Sequence, residues 1–203
     1  ACAPFRRLHV CDQHLSHMKD DKMTRHNLLV DVCMAAKFEA ESLEKYRAGY
    51  QQKYGDSHYE ICTELARSFA DIGDIVRGKD LYIRNKREKD RLQSTLKRIF
   101  QKIYKNLMED LRKSNRTKVD KAKERYEGDK NYYQLREDWW DANRAKVWYA
   151  MTCDAAGGTY FHATCGKNDS WTEKKCRCAA NIRVPTYFGY VPQFLRWFEG
   201  MGR

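Results

Sequence analysis

Proline is scarce in this chain, three residues in 203, and glycine is limited to eleven. With 42% hydrophobic and 33% charged residues beside so few prolines, wholesale disorder is not expected. No run of eighteen or more apolar residues occurs, so no segment reads as a membrane-spanning helix. Residues 1–7 lack the apolar stretch of a secretion signal. Catalytic signatures are missing too: no G-x-S-x-G, no G-x-x-x-x-G-K-[ST], no H-E-x-x-H and no glycine-rich dinucleotide fingerprint. His9, His14, His17 and His26 gather near the N-terminus with no spaced carboxylate pair to serve them. The expectation is a chain that is not an enzyme and carries no cofactor.

What is abundant is cysteine, aromatic residues and positive charge. The eight cysteines are Cys2, Cys11, Cys33, Cys62, Cys153, Cys165, Cys176 and Cys178. Structural zinc requires two close pairs, usually C-x2-4-C, and the one close pair here is C-x-C at Cys176 and Cys178. The even count therefore reads as disulfides in an oxidising, extracellular compartment, with no metal. An even disulfide set also leaves no activated thiol for a cysteine nucleophile. The net charge is +11, and residues 84–125 hold sixteen Lys and Arg against six Asp and Glu, a surplus of +10. A solvated helix face would mix the signs; a surplus this local points to an acidic partner such as nucleic acid, phospholipid or sulfated sugar.

The first twenty residues lack clear periodicity; from Thr24 the apolar pattern is helical, and no alternating strand pattern of useful length competes. Thr24 can cap a first helix carrying Leu29, Cys33, Ala36, Ala40 and Leu43, predicted to end before Gly49, with a polar loop over 50–58. A second helix carries Ile61, Leu65, Phe69, Ile72 and Val76 and stops at Gly78. The third is the cleanest, with Leu92, Leu96, Ile99, Ile103, Leu107 and Leu111 on one stripe. Residues 114–129 read as a polar loop with one helical turn. A fourth helix spans about 131–152, with Leu135, Trp139, Ala142, Val147, Trp148 and Met151 inward. A cysteine-rich loop follows over 154–182, and a last short helix opens near Pro192. The fold class is all-α: a disulfide-stapled helical bundle with an irregular N-terminal segment and a cysteine-rich loop.

Two blocks stand out. In Ala66-Arg67-Ser68-Phe69-Ala70-Asp71-Ile72-Gly73-Asp74-Ile75, the residues Arg67, Asp71 and Asp74 share one helix side, so they can pair with one another. In Arg136-Glu137-Asp138-Trp139-Trp140-Asp141-Ala142-Asn143-Arg144, the two tryptophans differ by about 100°, so only one can face a given core. The structural expectation for both is a packed helix pair with buried polar links. These blocks, with Cys2-Ala3-Pro4-Phe5-Arg6-Arg7-Leu8-His9-Val10-Cys11-Asp12, His26-Asn27-Leu28-Leu29-Val30-Asp31-Val32-Cys33, Pro185-Thr186-Tyr187-Phe188 and Pro192-Gln193-Phe194-Leu195-Arg196-Trp197-Phe198, are similar to the Duffy-binding-like fold of malaria parasites. The resemblance is to its alpha class, in the Plasmodium falciparum erythrocyte membrane protein 1 variant adhesin family, and it runs from Cys2 to Phe198.

The resemblance implies a cell-adhesion module on the outer face of the infected host-cell plasma membrane, anchored through parts of the protein outside this chain. It implies host erythrocyte glycan or receptor partners, including heparan-sulfate-like and blood-group sugars, together with antibodies. By the same resemblance, residues 1–23 are the end of an irregular first subdomain and 24–199 a helical second subdomain. Residues 200–203 are a junction foreign to the family, and the third subdomain is absent. It also implies a bridge from Cys62 to the loop after the fourth helix, with Cys165 the expected partner. Cys33 would be tied to the same region, with Cys153 first choice. Upstream partners for Cys2 and Cys11 are absent. The glycan-binding candidates are Lys86, Arg87, Lys89, Arg91, Lys97, Arg98, Lys102, Arg112, Lys113, Lys118 and Lys121. The alternatives are a structural or antigenic part of the adhesion head with no ligand contact, and an intracellular nucleic-acid binder. The latter lacks a reader motif and has the wrong cysteine content, so no nucleic-acid partner is expected. Asn115 and Asn168 fit the N-glycosylation pattern and are expected to be bare in native material.

Overall fold

The computed structural model describes residues 7, 10, 15, 24–55, 61–82, 86–114, 116–155, 163, 165, 171, 172, 174–178, 184 and 187–199. Cys2, Cys11, Asn115 and Asn168 lie outside the described residues. Seven α-helices occur among those described: α1 (Arg25–Tyr54), α2 (Ile61–Arg77), α3 (Lys86–Ser114), α4 (Arg116–Tyr126), α5 (Tyr133–Met151), α6 (Tyr187–Tyr190) and α7 (Gln193–Glu199). A 3-10 turn, Lys174–Cys176, breaks the cysteine-rich segment. No strand occurs among the described residues.

Local chemistry sets the helix ends. The Thr24 hydroxyl accepts hydrogen bonds from the backbone N–H groups of His26 and Asn27, each 3.3 Å, satisfying two donors at the start of α1. The predicted stop at Gly49 is wrong. A mid-helix glycine costs only about 1 kcal/mol, and the positive-φ residue that ends α1 is Gly55, with φ +77° and ψ −170°. Gly78 does end α2, with φ +78°, and Lys79 N–H donates to the Asp74 carbonyl over 2.8 Å. Residues 116–126 are helical where a loop was expected. Val119 and Ala122 bury against Met108, and Tyr126 stacks edge-on to Tyr104 at 6.3 Å, so packing on α3 overrides a weak local signal.

The core forms where α1, α2 and α5 pack together, with α3 joined through α5 and α4 folded against α3 and α5. Leu28, Val32 and Ala36 of α1 meet Leu65, Phe69 and Ile72 of α2 and Val147, Trp148 and Met151 of α5. Trp139 and Trp140 are both buried, because α5 has neighbours on two sides. Trp139 lies edge-on to Phe100 of α3 at 6.1 Å, and Trp140 lies against Phe69 of α2 at 5.0 Å. Ala142, expected inward, is exposed. A Cβ at Gly73 would sit 2.7 Å from the Trp140 ring, so the glycine admits the indole against the α2 backbone.

The two singled-out blocks are a packed pair linked by buried polar groups, but the links differ from the local pairs that the spacing allows. Arg67 pairs with Glu64 at 2.7 Å instead of with the aspartates. Asp71 and Asp74 hold Arg196 of α7, which is 1% exposed; its contact with Asp71 is 2.8 Å, and its Nη2 also donates to Asp74. Gln193 donates to Asp80 over 2.8 Å, and Arg7 binds Asp80 through two nitrogens at 3.1 and 2.5 Å. This cluster fastens the N-terminal segment and α7 to the end of α2. Burial pushes the Asp74 carboxyl up, with Arg196 and Arg77 pulling the other way. Arg136 of α5 is also 1% exposed, and donates to the carbonyls of Val76 (2.6 Å) and Ile75 (3.1 Å) at the C-terminus of α2. Burial holds its guanidinium down at about 10, so it is charged at neutral pH and complements the negative end of the helix.

The bridges also depart from expectation. Cys62 pairs with Cys176, and Cys165 pairs with Cys178, each with Cα atoms 5.3 Å apart. Lys175 and Cys176 have φ values of 60° and 55°, and this left-handed turn sends Cys176 to α2 and Cys178 to Cys165. The expected Cys62–Cys165 pairing is corrected accordingly. Cys33 and Cys153 are free thiols, one half-buried and one exposed, so their expected bridge is absent. Burial pushes the Cys33 thiol up, which makes it a poor nucleophile.

Candidate functional site

The basic surplus maps chiefly onto α3. This helix buries Leu92, Leu96, Ile99, Phe100 and Ile103 against the bundle, which fixes its rotation and so decides which residues face outward. At 100° per residue, Arg87, Arg91, Arg98, Lys102, Lys105 and Arg112 fall within about 80° of arc opposite or beside that core face. Only Ser94 and Glu109 share the strip. Arg87, Arg91, Arg98, Lys105 and Arg112 are exposed, and Lys102 is half-buried. From Arg87 to Arg112 the strip runs about 38 Å, at 1.5 Å per residue.

The structure sorts the sequence candidates. Arg87, Arg91, Arg98, Lys102 and Arg112 come together on the strip. Lys89 does not: its Nζ donates to the Asp80 carbonyl over 3.0 Å, tying it to the buried cluster. Lys97 is exposed about a quarter-turn off the strip, and Lys113 is exposed in the last turn of α3, where a cation complements the helix dipole. Lys118 and Lys121 are exposed on α4, a separate helix. Lys86 opens α3, and its side chain lies outside the described residues. Lys105 is a strip residue that the sequence candidates omit. Its signal is present, since it lies seven residues after Arg98 and seven before Arg112, two full helical turns each way.

Chemically, the strip is a rod of cations with no reacting group. Among the described residues, no cluster of His, Cys, Asp or Glu could hold a metal ion. An array of exposed cations along one helix can bind a polyanion collectively, each contact weak and screened by salt.

The described chain is a disulfide-bridged, helical module with an exposed basic face on α3. The Duffy binding domain family model matches residues 1–196, and the chain belongs to that family. It is similar to the NTS-DBL1(alpha-1) domain of Plasmodium falciparum PfEMP1 from the varO strain, at 41% identity and a TM-score of 0.73, covering 98% of this chain and 42% of that one. The NTS-DBL1-alpha and CIDR-gamma double domain from the same strain matches at 41% identity and a TM-score of 0.74, covering 98% and 27%. An ICAM-1-binding DBLbeta domain of PfEMP1 matches at 32% identity and a TM-score of 0.66, covering 96% and 41%. The chain thus spans less than half the length of these structures. No curated protein matches it.

Proposed function

We propose that this chain is part of a host-receptor adhesion module of a variant surface antigen, displayed on the outer face of infected erythrocytes, and that the α3 strip engages an acidic, sulfated host glycan. The module is proposed to be non-catalytic and to need no cofactor. The adhesion reading rests on family membership and on similarity to a PfEMP1 domain that binds ICAM-1. The single observation that favours a glycan is the alignment of six cations with one acid along about 38 Å of one exposed helix face. Among the described residues no helix is long and apolar enough to cross a membrane.

Heparin affinity chromatography tests the reading. Replacing Arg87, Arg91, Lys105 and Arg112 by Gln keeps helix propensity and removes four strip cations. The quadruple variant is expected to elute at lower salt, with the slope of log affinity against log salt falling by about one for each cation that engages a sulfate. Thermal stability should be nearly unchanged, because all four residues are exposed. A Lys97→Gln variant should elute close to the parent. Equal elution of the quadruple variant and parent would remove the glycan face and favour a structural or antigenic role.

A further inference from the structure

A concavity of about 240 Å3 lies away from the strip, between the middle of α1 and the end of α5. Its floor is apolar: Ala40, Leu65, Ala150, Met151 and Ala155. Leu65 and Met151 are at most 1% exposed, so the floor belongs to the packed core and is preformed. The rim is charged, with Lys37, Glu41, Glu44, Lys45 and Asp154.

Charge pairing on the rim is uneven. Lys37 stands 3.8 Å from Glu41 and 4.0 Å from Asp154, and Arg47 stands 3.6 Å from Glu44. All three acids therefore face a cation already. Lys45 is exposed and has no ion pair among the described residues. Lys37 is already shared by Glu41 and Asp154, which leaves Lys45 as the rim cation that can meet an anion. The volume sets the size of what fits. An apolar cavity of about 150 Å3 holds benzene, whereas drug-sized sites begin at about 300 Å3.

From this juxtaposition of a preformed apolar floor with a rim lysine that has no ion pair among the described residues, we propose that the pocket binds small apolar monocarboxylates of about six to nine carbons. The hydrocarbon lies on the Leu65 and Met151 floor, and the carboxylate meets Lys45 at the rim. The head group stays at the solvent edge, so no charge is buried. The site stands apart from the α3 strip and does not depend on glycan binding.

Calorimetric titration of this chain with hexanoate, octanoate and decanoate, each below its micellar concentration, tests the size limit. Affinity should rise roughly tenfold from hexanoate to octanoate and then level off as the pocket fills. Octanamide should bind at least about fivefold more weakly than octanoate, through loss of the charge interaction. Lys45→Gln, at an exposed position that leaves the fold intact, should lower octanoate affinity about fivefold and leave octanamide unchanged. Absence of saturable octanoate binding, equal binding of octanoate and octanamide, tighter binding of octylamine, or an unchanged Lys45→Gln variant would each overturn the proposal.

Discussion

Arg196 and Arg91 carry the same guanidinium, yet one is 1% exposed between Asp71 and Asp74 and the other stands on the outer face of α3. The first positions α7, and its geometry is fixed by two carboxylates and by carbonyls of Phe188 and Val191. The second is available to whatever approaches. The difference separates a cation that holds the fold together from one left at the surface, and burial decides which. The sharpest way to break the comparison is Arg196→Met, which removes the cation and leaves two buried aspartates facing each other. Breaking a buried ion pair from one side costs about 3–5 kcal/mol, so urea unfolding should show a loss of that size. Arg91→Gln should change stability by less than about 0.5 kcal/mol. A loss below about 1 kcal/mol for Arg196→Met would mean that the cluster does not secure α7.

Glycine draws the same contrast with smaller effects. Gly73 lies 2.7 Å, at its would-be Cβ, from the Trp140 ring, which is backed by Phe69; Gly49 has nothing within 4 Å. Gly73→Ala should therefore cost about 1–3 kcal/mol by overpacking. Gly49→Ala, on the exposed side of α1, should gain about 0.5–1 kcal/mol through helix propensity. Thermal melts of the two variants should move in opposite directions. Two shifts of the same sign would show that the α2–α5 contact is looser than its geometry.

Much of this was legible in the sequence, for identifiable reasons. The α3 stripe from Leu92 to Ile103 fixed both the helix and its rotation, so most of the basic strip followed from residue numbers alone. Family membership was equally legible, carried by blocks that turn out to be the α2–α5 contact and its link to α7. What escaped was set by distant partners. Nothing near Asp71 in the chain names Arg196, 125 residues away, so a local pair with Arg67 was the one the spacing offered. The Cys62 partner depended on a left-handed turn at Lys175 and Cys176, two residues for which no propensity rule predicts positive φ. Residues 116–126 were missed because three residues, Val119, Ala122 and Tyr126, provide most of their apolar face.

Arg125 and Asp138 stand between the two regimes and allow the finest test of the contrast. Arg125 binds Asp138 through two nitrogens at 2.6 and 2.7 Å, and Tyr126 and Gln134 donate to the same carboxylate at 2.7 and 3.1 Å. The pair joins α4 to α5, but both side chains remain partly open to water, at 54% and 27% exposure, so salt and solvent weaken it. The Arg125 hydrogen bonds hold the Asp138 carboxyl down at about 2, from an ordinary value of 3.8, with Tyr126 and Gln134 adding to the pull against burial. A carboxyl depressed in the folded state binds its proton more readily when unfolded. Its contribution is thus fully present above about pH 4 and disappears as pH falls through about 2. Asp138→Asn should lower Tm at pH 6 by on the order of a degree or two. The gap from the parent should close progressively between pH 4 and pH 2, while the deficit of Arg196→Met persists at neutral pH and high salt. In 1 M NaCl at pH 6 the Asp138→Asn gap should also shrink, since the Debye length there is about 3 Å. A gap that ignores both pH and salt would place this pair with the buried cluster instead, and α4 would then be fixed to α5 by charge as firmly as α7 is to α2.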